Sequence, residues 1–223
     1  MSDLPRIASM LTSFIEHPGR ISLGIYLPGC NWRCLYCHNY ELVLDVVGEG
    51  VCEDELRWEL ENNKLIDLVV ISGGEPTIHG EKLLNLVKLV RDLRPDLKIR
   101  IDTNGSNPGV LSRIKNLIDG VALDIKAPPD DVEKYSMIIG ARFDRGRFMK
   151  SVAIARDLPL TIYRTVRYPC LSEGDLDRIR RFVEENCGGK PHYFTEFNPV
   201  RMPKGWRRDL SKLGDFRGAY SVL

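Results

Sequence analysis

No apolar run in the chain approaches the roughly 20 residues that a membrane-crossing helix needs. The first residues, Met1-Ser2-Asp3-Leu4-Pro5-Arg6, carry no signal-peptide pattern. Net charge is nearly absent as well: 32 Lys and Arg face 31 Asp and Glu. That balance removes the global electrostatic reason to expect nucleic acid or an anionic membrane as a partner. The short basic cluster Lys204-Gly205-Trp206-Arg207-Arg208 reads as a solvated face. Low-complexity stretches, long linkers and strict repeats are missing. Histidine is scarce, and His17, His79 and His192 read as surface or turn residues. Of six cysteines, Cys52, Cys170 and Cys187 are scattered and read as small semi-buried apolar residues. They form no second close set, which excludes a second cluster or a ferredoxin-like insertion. These features point to a cytoplasmic protein, where grouped cysteines more often mean metal than disulfide. The 223 residues suit one domain spanning 1–223.

What is present is an alternation of element types. Strands rich in β-branched and aromatic residues are expected at Ile21–Leu27, Asp67–Ile71, Leu97–Ile101, Val121–Ile125, Leu160–Val166 and His192–Phe197. Helices are expected between them. Glu81–Arg91 sets Leu83, Leu86, Val87 and Val90 on one face, and Val110–Ile118 offers Val110, Ile114 and Leu117. Ser172-Glu173-Gly174-Asp175 reads as a capping box opening a helix that Gly188-Gly189 ends. Glu53–Glu61 and Arg147–Arg156 are weaker helices. Six strand–helix alternations argue for a parallel sheet with crossover helices. A closed eight-unit barrel takes about 250 residues, so six units fit better. Residues 1–20, with Ser9–Ile15 and the turn His17-Pro18-Gly19-Arg20, are expected to add a hairpin. The tail, residues 200–223, is expected to cover part of the barrel.

Chemistry in such barrels sits at the C-terminal ends of the strands. After the first strand comes Cys30-Asn31-Trp32-Arg33-Cys34-Leu35-Tyr36-Cys37, a C-x3-C-x2-C loop followed by His38. A structural zinc site usually takes four protein ligands. A cubane iron–sulfur cluster held by three thiolates keeps one iron free for a small molecule. Ser72-Gly73-Gly74-Glu75-Pro76 follows the second strand and Asp102-Thr103-Asn104-Gly105 the third. Alone, each reads as a turn. The fourth strand ends in Asp124-Ile125-Lys126, whose alternate residues share a face. Two carboxylates brought together, as Asp102 and Asp124 would be, need a cation or a proton between them. Arg164 on the fifth strand, or Arg167, needs an anionic partner. The sixth strand runs into Asn198-Pro199.

This order of motifs, from about Ser9 to Pro199, resembles the radical S-adenosylmethionine (SAM) enzymes. It is most similar to the activating enzymes of glycyl-radical enzymes, such as those serving pyruvate formate-lyase and anaerobic ribonucleotide reductase. The resemblance implies an α/β fold, a (β/α)6 partial TIM barrel. It implies a [4Fe-4S] cluster on Cys30, Cys34 and Cys37, with SAM at the open iron. By the same resemblance, main chain from Tyr36 to His38 contacts the adenine. Gly73, Gly74 and Glu75 receive the amino group of SAM. Lys126 holds its carboxylate, and Asp102 and Asp124 hold a monovalent cation beside it. Arg164 and Asn198 are further expected contacts. The pyruvate formate-lyase activating enzyme pattern has a histidine near Asn198, so this chain departs from it there. The implied partners are a glycyl-radical enzyme as protein substrate and a flavodoxin- or ferredoxin-type electron donor. The alternatives are a small-molecule radical SAM enzyme resembling 7-carboxy-7-deazaguanine synthase and a non-catalytic metal scaffold. A scaffold has no need of the Gly-Gly-Glu-Pro and Asp-Ile-Lys elements.

Overall fold

The computed structural model describes residues 3–198. Seven strands are hydrogen-bonded in sequence order: β1 (Ser9–Ser13), β2 (Ser22–Leu27), β3 (Leu68–Gly73), β4 (Lys98–Thr103), β5 (Gly120–Asp124), β6 (Ile162–Arg167) and β7 (His192–Glu196). β1 runs antiparallel to β2, and every later pair is parallel. β1 and β7 are the two edges of the sheet, so the barrel is partial. The helices are α1 (Tyr40–Leu44), α2 (Glu53–Asn62), α3 (Glu81–Leu93), α4 (Pro108–Ile114), α5 (Val132–Ile139), α6 (Arg145–Arg156) and α7 (Glu173–Asn186). A 3-10 turn covers Pro76–His79. None of the described helices is long and apolar enough to cross a membrane.

The two faces of the sheet differ in chemistry. Leu23, Ile25, Val69, Ile71, Ile99, Ile101, Val121, Leu123 and Tyr163 point outward into the core shared with the helices. α3 contributes Leu83, Leu86, Val87 and Val90 to that core, all fully buried. The alternate positions face the lumen, and several are charged: Arg100 and Asp102 on β4, Asp124 on β5, Arg164 on β6. A period of two thus separates a hydrophobic layer from a polar interior.

Helix ends follow local chemistry. Ser172 and Asp175 form the reciprocal capping box of α7. Cys52 does the same for α2 with Glu55, whose carboxylate accepts the Cys52 N–H at 2.8 Å. Cys52 is exposed and is therefore a cap, contrary to the expected semi-buried apolar role; Cys170 and Cys187 are buried. His79 lies in the 3-10 turn, as expected, whereas His192 is part-buried at the start of β7 and is neither a surface nor a turn residue. His79 Nε2 lies 2.9 Å from the Pro28 carbonyl, and His192 Nε2 lies 3.0 Å from Thr165 Oγ1. Burial pushes the His192 imidazole down to about 4. Sequence periodicity missed α1, α5 and the 3-10 turn. α1 has five residues, too few to show a period, and α5 has eight. α4 also begins earlier than expected, with Pro108 in its first turn, and stops at Ile114.

Candidate active site

The cysteine loop is built against two neighbours. Its Arg33 and Leu35 N–H groups donate to the carbonyls of Ile139 and Ile138, at 2.9 Å each, at the end of α5. α5 stops there because Gly140 takes the left-handed conformation, φ 62°. A Cβ on Gly140 would lie 2.5 Å from the Arg33 carbonyl oxygen. Trp32 is buried edge-on to Tyr135, with ring centroids 6.2 Å apart. Arg33 closes the loop from outside, donating to the Cys30 carbonyl at 2.8 Å.

The second neighbour is the glycine pair after β3. Gly74 N–H donates to the Leu27 carbonyl at 2.9 Å, and Glu75 N–H to the Gly29 carbonyl at 2.8 Å. Gly73 has φ 121°. A Cβ on Gly74 would lie 1.9 Å from the Gly29 oxygen, one residue before Cys30. The glycines are there so that the two loops touch main chain to main chain.

Glu75 is fully buried and does not line the cavity. Its carboxylate accepts from Thr77 N–H at 3.0 Å, Thr103 Oγ1 at 2.7 Å and Asn104 N–H at 2.6 Å, and from the Thr77 hydroxyl. Desolvation raises its pKa, while these donors oppose the rise. Glu75 therefore ties the Gly-Gly-Glu-Pro turn to the Asp-Thr-Asn-Gly turn. The parts of that element that reach the cavity are Gly73 and Gly74.

Across the lumen runs a line of alternating charge. Arg100, with no exposed side-chain surface, donates Nε to Asp102 Oδ1 at 2.8 Å. Arg164 Nη1 donates to Asp102 Oδ2 at 2.8 Å, and its Nε to Asp124 Oδ1 at 3.0 Å. Lys126 Nζ donates to Asp124 Oδ2 at 3.1 Å. The β5–β6 register places Asp124 opposite Arg164, which makes the bridge possible. Burial opposes ionisation of Asp124, but Lys126 and Arg164 outweigh it and hold the carboxyl below its usual range. Burial also opposes the Lys126 charge, and Asp124 overcomes it and raises the pKa well above the ordinary value. Of the two candidate arginines, Arg164 faces the lumen. Arg167 pairs loosely with Glu173 and Glu196, at 4.0 and 3.7 Å.

One cavity of about 720 Å³ gathers these groups. It is lined by Cys30, Cys34 and Cys37, by Tyr36 and His38, by Gly73 and Gly74, by Asp102, Asp124, Lys126 and Arg164, and by Asn198. Of the expected site residues, only Glu75 lies outside its wall. The volume is within the range of small-molecule and cofactor sites. None of the three cysteines is in a disulfide, and no fourth cysteine lines the cavity. That donor set fits a cluster with one iron left open. Among the described residues no three Cys, His, Asp or Glu side chains converge to hold a single ion. Burial pushes the Cys30 and Cys34 thiols up to about 11 and about 12, and raises Cys37 as well; Lys126 opposes all three shifts. Ligation must therefore release protons. Tyr36 packs on Tyr168 at 4.8 Å, and Tyr168 meets Phe197 at 5.3 Å; Tyr36 and Phe197 line the cavity with the buried Tyr168 behind them.

Sequence reasoning passed over Arg100, Asn104 and Asn31. Asn104 Nδ2 donates to Asn31 Oδ1 at 3.0 Å, linking the end of β4 to the cysteine loop. The one available signal was Arg100 itself, a charge in the middle of an apolar strand.

The sequence profile of the Radical SAM superfamily matches residues 25–184. A protein assigned by name as a glycyl-radical enzyme activating enzyme, from Methanocaldococcus jannaschii, is 30% identical over 93% of this chain and 89% of its own length. The 7-carboxy-7-deazaguanine synthase of Methanothermobacter thermautotrophicus is 29% identical over 87% of this chain and 81% of its own. Among solved structures, coproporphyrinogen III oxidase from Escherichia coli, a radical SAM enzyme, shares the fold at a TM-score of 0.55 and 16% identity. That match covers 83% of this chain and 46% of the oxidase, so the chain spans about half its length. Profile, archaeal relative and strand-end motifs agree, and the chain belongs to the radical SAM superfamily, as an enzyme of the glycyl-radical enzyme activating enzyme family.

Proposed function

We propose that this enzyme reductively cleaves SAM and installs a glycyl radical on a partner enzyme. The observation that carries the reading is a single cavity joining three cysteine thiols to the Asp102–Arg164–Asp124–Lys126 line. Cys30, Cys34 and Cys37 would hold a [4Fe-4S] cluster, with a flavodoxin- or ferredoxin-type protein as electron donor. Held there, the cluster would supply the electron for reductive cleavage of SAM, the chemistry that generates a radical able to take a hydrogen atom from a glycine Cα.

The chain's own groups bind and orient. Gly73 and Gly74 bring main chain to the cavity wall for the SAM amino group. The Lys126 ammonium, largely buried between Asp124 and the Tyr36 ring 5.6 Å away, would meet the SAM carboxylate. Tyr36 and Phe197, backed by the buried Tyr168, offer an aromatic surface for the adenosine. Lys126→Ala is expected to weaken SAM binding and spare the cluster. A charge-assisted hydrogen bond is worth about 1.5–3 kcal/mol, so the loss is roughly 10- to 150-fold in affinity. Titration of SAM into the cluster-loaded variant reads this directly, and unchanged affinity would make Lys126 an ion-pair partner of Asp124 only.

A protein substrate suits the mouth of the cavity. Ile15, beyond β1, and Phe197 and Asn198, beyond β7, line the cavity, and among the described residues the two edge strands are not bonded to each other. Ile15 and its neighbour Phe14 are 89% and 69% exposed. Glycine, having no Cβ, lets a peptide segment approach most closely. The test adds a candidate glycyl-radical protein to the reduced enzyme and SAM. A glycine-centred radical seen by electron paramagnetic resonance is expected. Efficient turnover of a purine-like metabolite, with no radical on any protein, would instead select the deazaguanine-synthase-like reading.

A further inference from the structure

Two carboxylates facing one lumen repel each other and need positive charge between them. Asp102 and Asp124 are such a pair, and each of their four oxygens accepts a hydrogen bond from a cationic side chain. Asp102 Oδ1 accepts Arg100 Nε at 2.8 Å. Asp102 Oδ2 accepts Arg164 Nη1 at 2.8 Å and Arg100 Nη2 at 3.3 Å. Asp124 Oδ1 accepts Arg164 Nε at 3.0 Å, and Asp124 Oδ2 accepts Lys126 Nζ at 3.1 Å. The Arg164 guanidinium thus lies between the two carboxylates, binding each through a different nitrogen.

Arg100 makes the arrangement rigid. It is the largest fully buried side chain among the described residues. An unpaired buried guanidinium would be costly, so its partners must hold it. Besides Asp102, it donates Nη1 to the Glu16 carbonyl at 2.7 Å, with the Glu16 carboxylate 3.7 Å from Nη2. The row reads Glu16, Arg100, Asp102, Arg164, Asp124, Lys126, with charge alternating at each step. Within this row three anions meet three cations, so the protein's own side chains supply the positive charge that the two carboxylates need.

We propose that Arg164, fixed through Asp102 by Arg100, is the built-in counter-cation of the Asp102–Asp124 pair, so that SAM binds here without a sodium or potassium ion. Arg164 is then a positioning residue, setting Asp124 and through it Lys126. The inference rests on the SAM site proposed above, and it replaces the cation that the resemblance placed between the carboxylates.

The experiment uses the cluster-loaded enzyme at constant ionic strength, with sodium, potassium or tetramethylammonium chloride. Tetramethylammonium is too large to enter between two carboxylates. SAM affinity of the unaltered enzyme is expected to change less than 2-fold among the three salts. Arg164→Gln removes the charge, and its SAM affinity is expected to become at least 10-fold tighter in sodium or potassium than in tetramethylammonium. Its melting temperature should show the same salt dependence without SAM. Arg164→Lys restores one charge and should reduce the dependence. If the unaltered enzyme gains 5-fold or more in affinity from sodium or potassium, an ion binds despite Arg164 and the inference fails. It fails equally if Arg164→Gln loses affinity or stability that no salt restores. Should that variant not fold, the unaltered enzyme's salt series and Arg164→Lys still decide. Should the enzyme not bind SAM at all, the SAM reading falls, while the melting temperatures still test the counter-cation.

Discussion

Replacing any one of Cys30, Cys34 or Cys37 with alanine is expected to abolish SAM cleavage. Two thiolates cannot hold a cubane with one open iron in a fixed place. The three thiols line one cavity, and no fourth cysteine lines it to substitute for a lost ligand. The control is Cys52→Ala or Cys187→Ala. Cys52 caps α2 on the surface, and Cys187 is buried at the end of α7. Both variants should keep the cluster's absorption and its iron content. A scattered cysteine proving as necessary as the three would overturn the ligand assignment.

Gly74→Ala is expected to have the next largest effect, although Gly74 bears no chemistry. The added Cβ would sit 1.9 Å from the Gly29 carbonyl oxygen, and main chain cannot yield as a flexible side chain does. Either the Cys30 loop or the Gly-Gly-Glu-Pro turn must move. Overpacking of this kind typically costs about 1–3 kcal/mol in stability. The functional loss should be greater, because the displaced Gly29 adjoins Cys30, one of the three proposed cluster ligands. Iron content and SAM affinity should both fall. Gly109→Ala is the matched control. Gly109 is exposed in α4 with nothing within 4 Å of where an alanine methyl would sit, so alanine there should raise the melting temperature slightly. Normal cluster loading in Gly74→Ala would show that the two loops are not mechanically joined.

What the sequence made legible were features with a short period or a short motif. The six parallel strands showed because their outward residues form β-branched, apolar runs. The four strand-end motifs showed because each is contiguous, and the alternation of strand and helix sends them to one rim. What stayed hidden depends on pairs far apart in the chain. Glu75 looked like a ligand contact, since nothing local says that Thr103 and Asn104, 28 and 29 residues on, enclose its carboxylate. Arg100 finds Glu16 across 84 positions. α5 escaped notice because its inward residues Tyr135, Ile138 and Ile139 span barely one helical turn. Yet its last carbonyls hold the cysteine loop in place. Residues 199–223, which hold the expected tail, lie outside the described residues.

The central claim is that the cavity's radical chemistry ends on a glycine of another protein. The direct measurement supplies reduced enzyme and SAM with a candidate glycyl-radical protein whose glycine is deuterated at Cα. The account predicts one deuterium in the 5′-deoxyadenosine formed, in step with a radical on that glycine. Formation of 5′-deoxyadenosine that carries no deuterium from the protein, whatever partner is supplied, would contradict it.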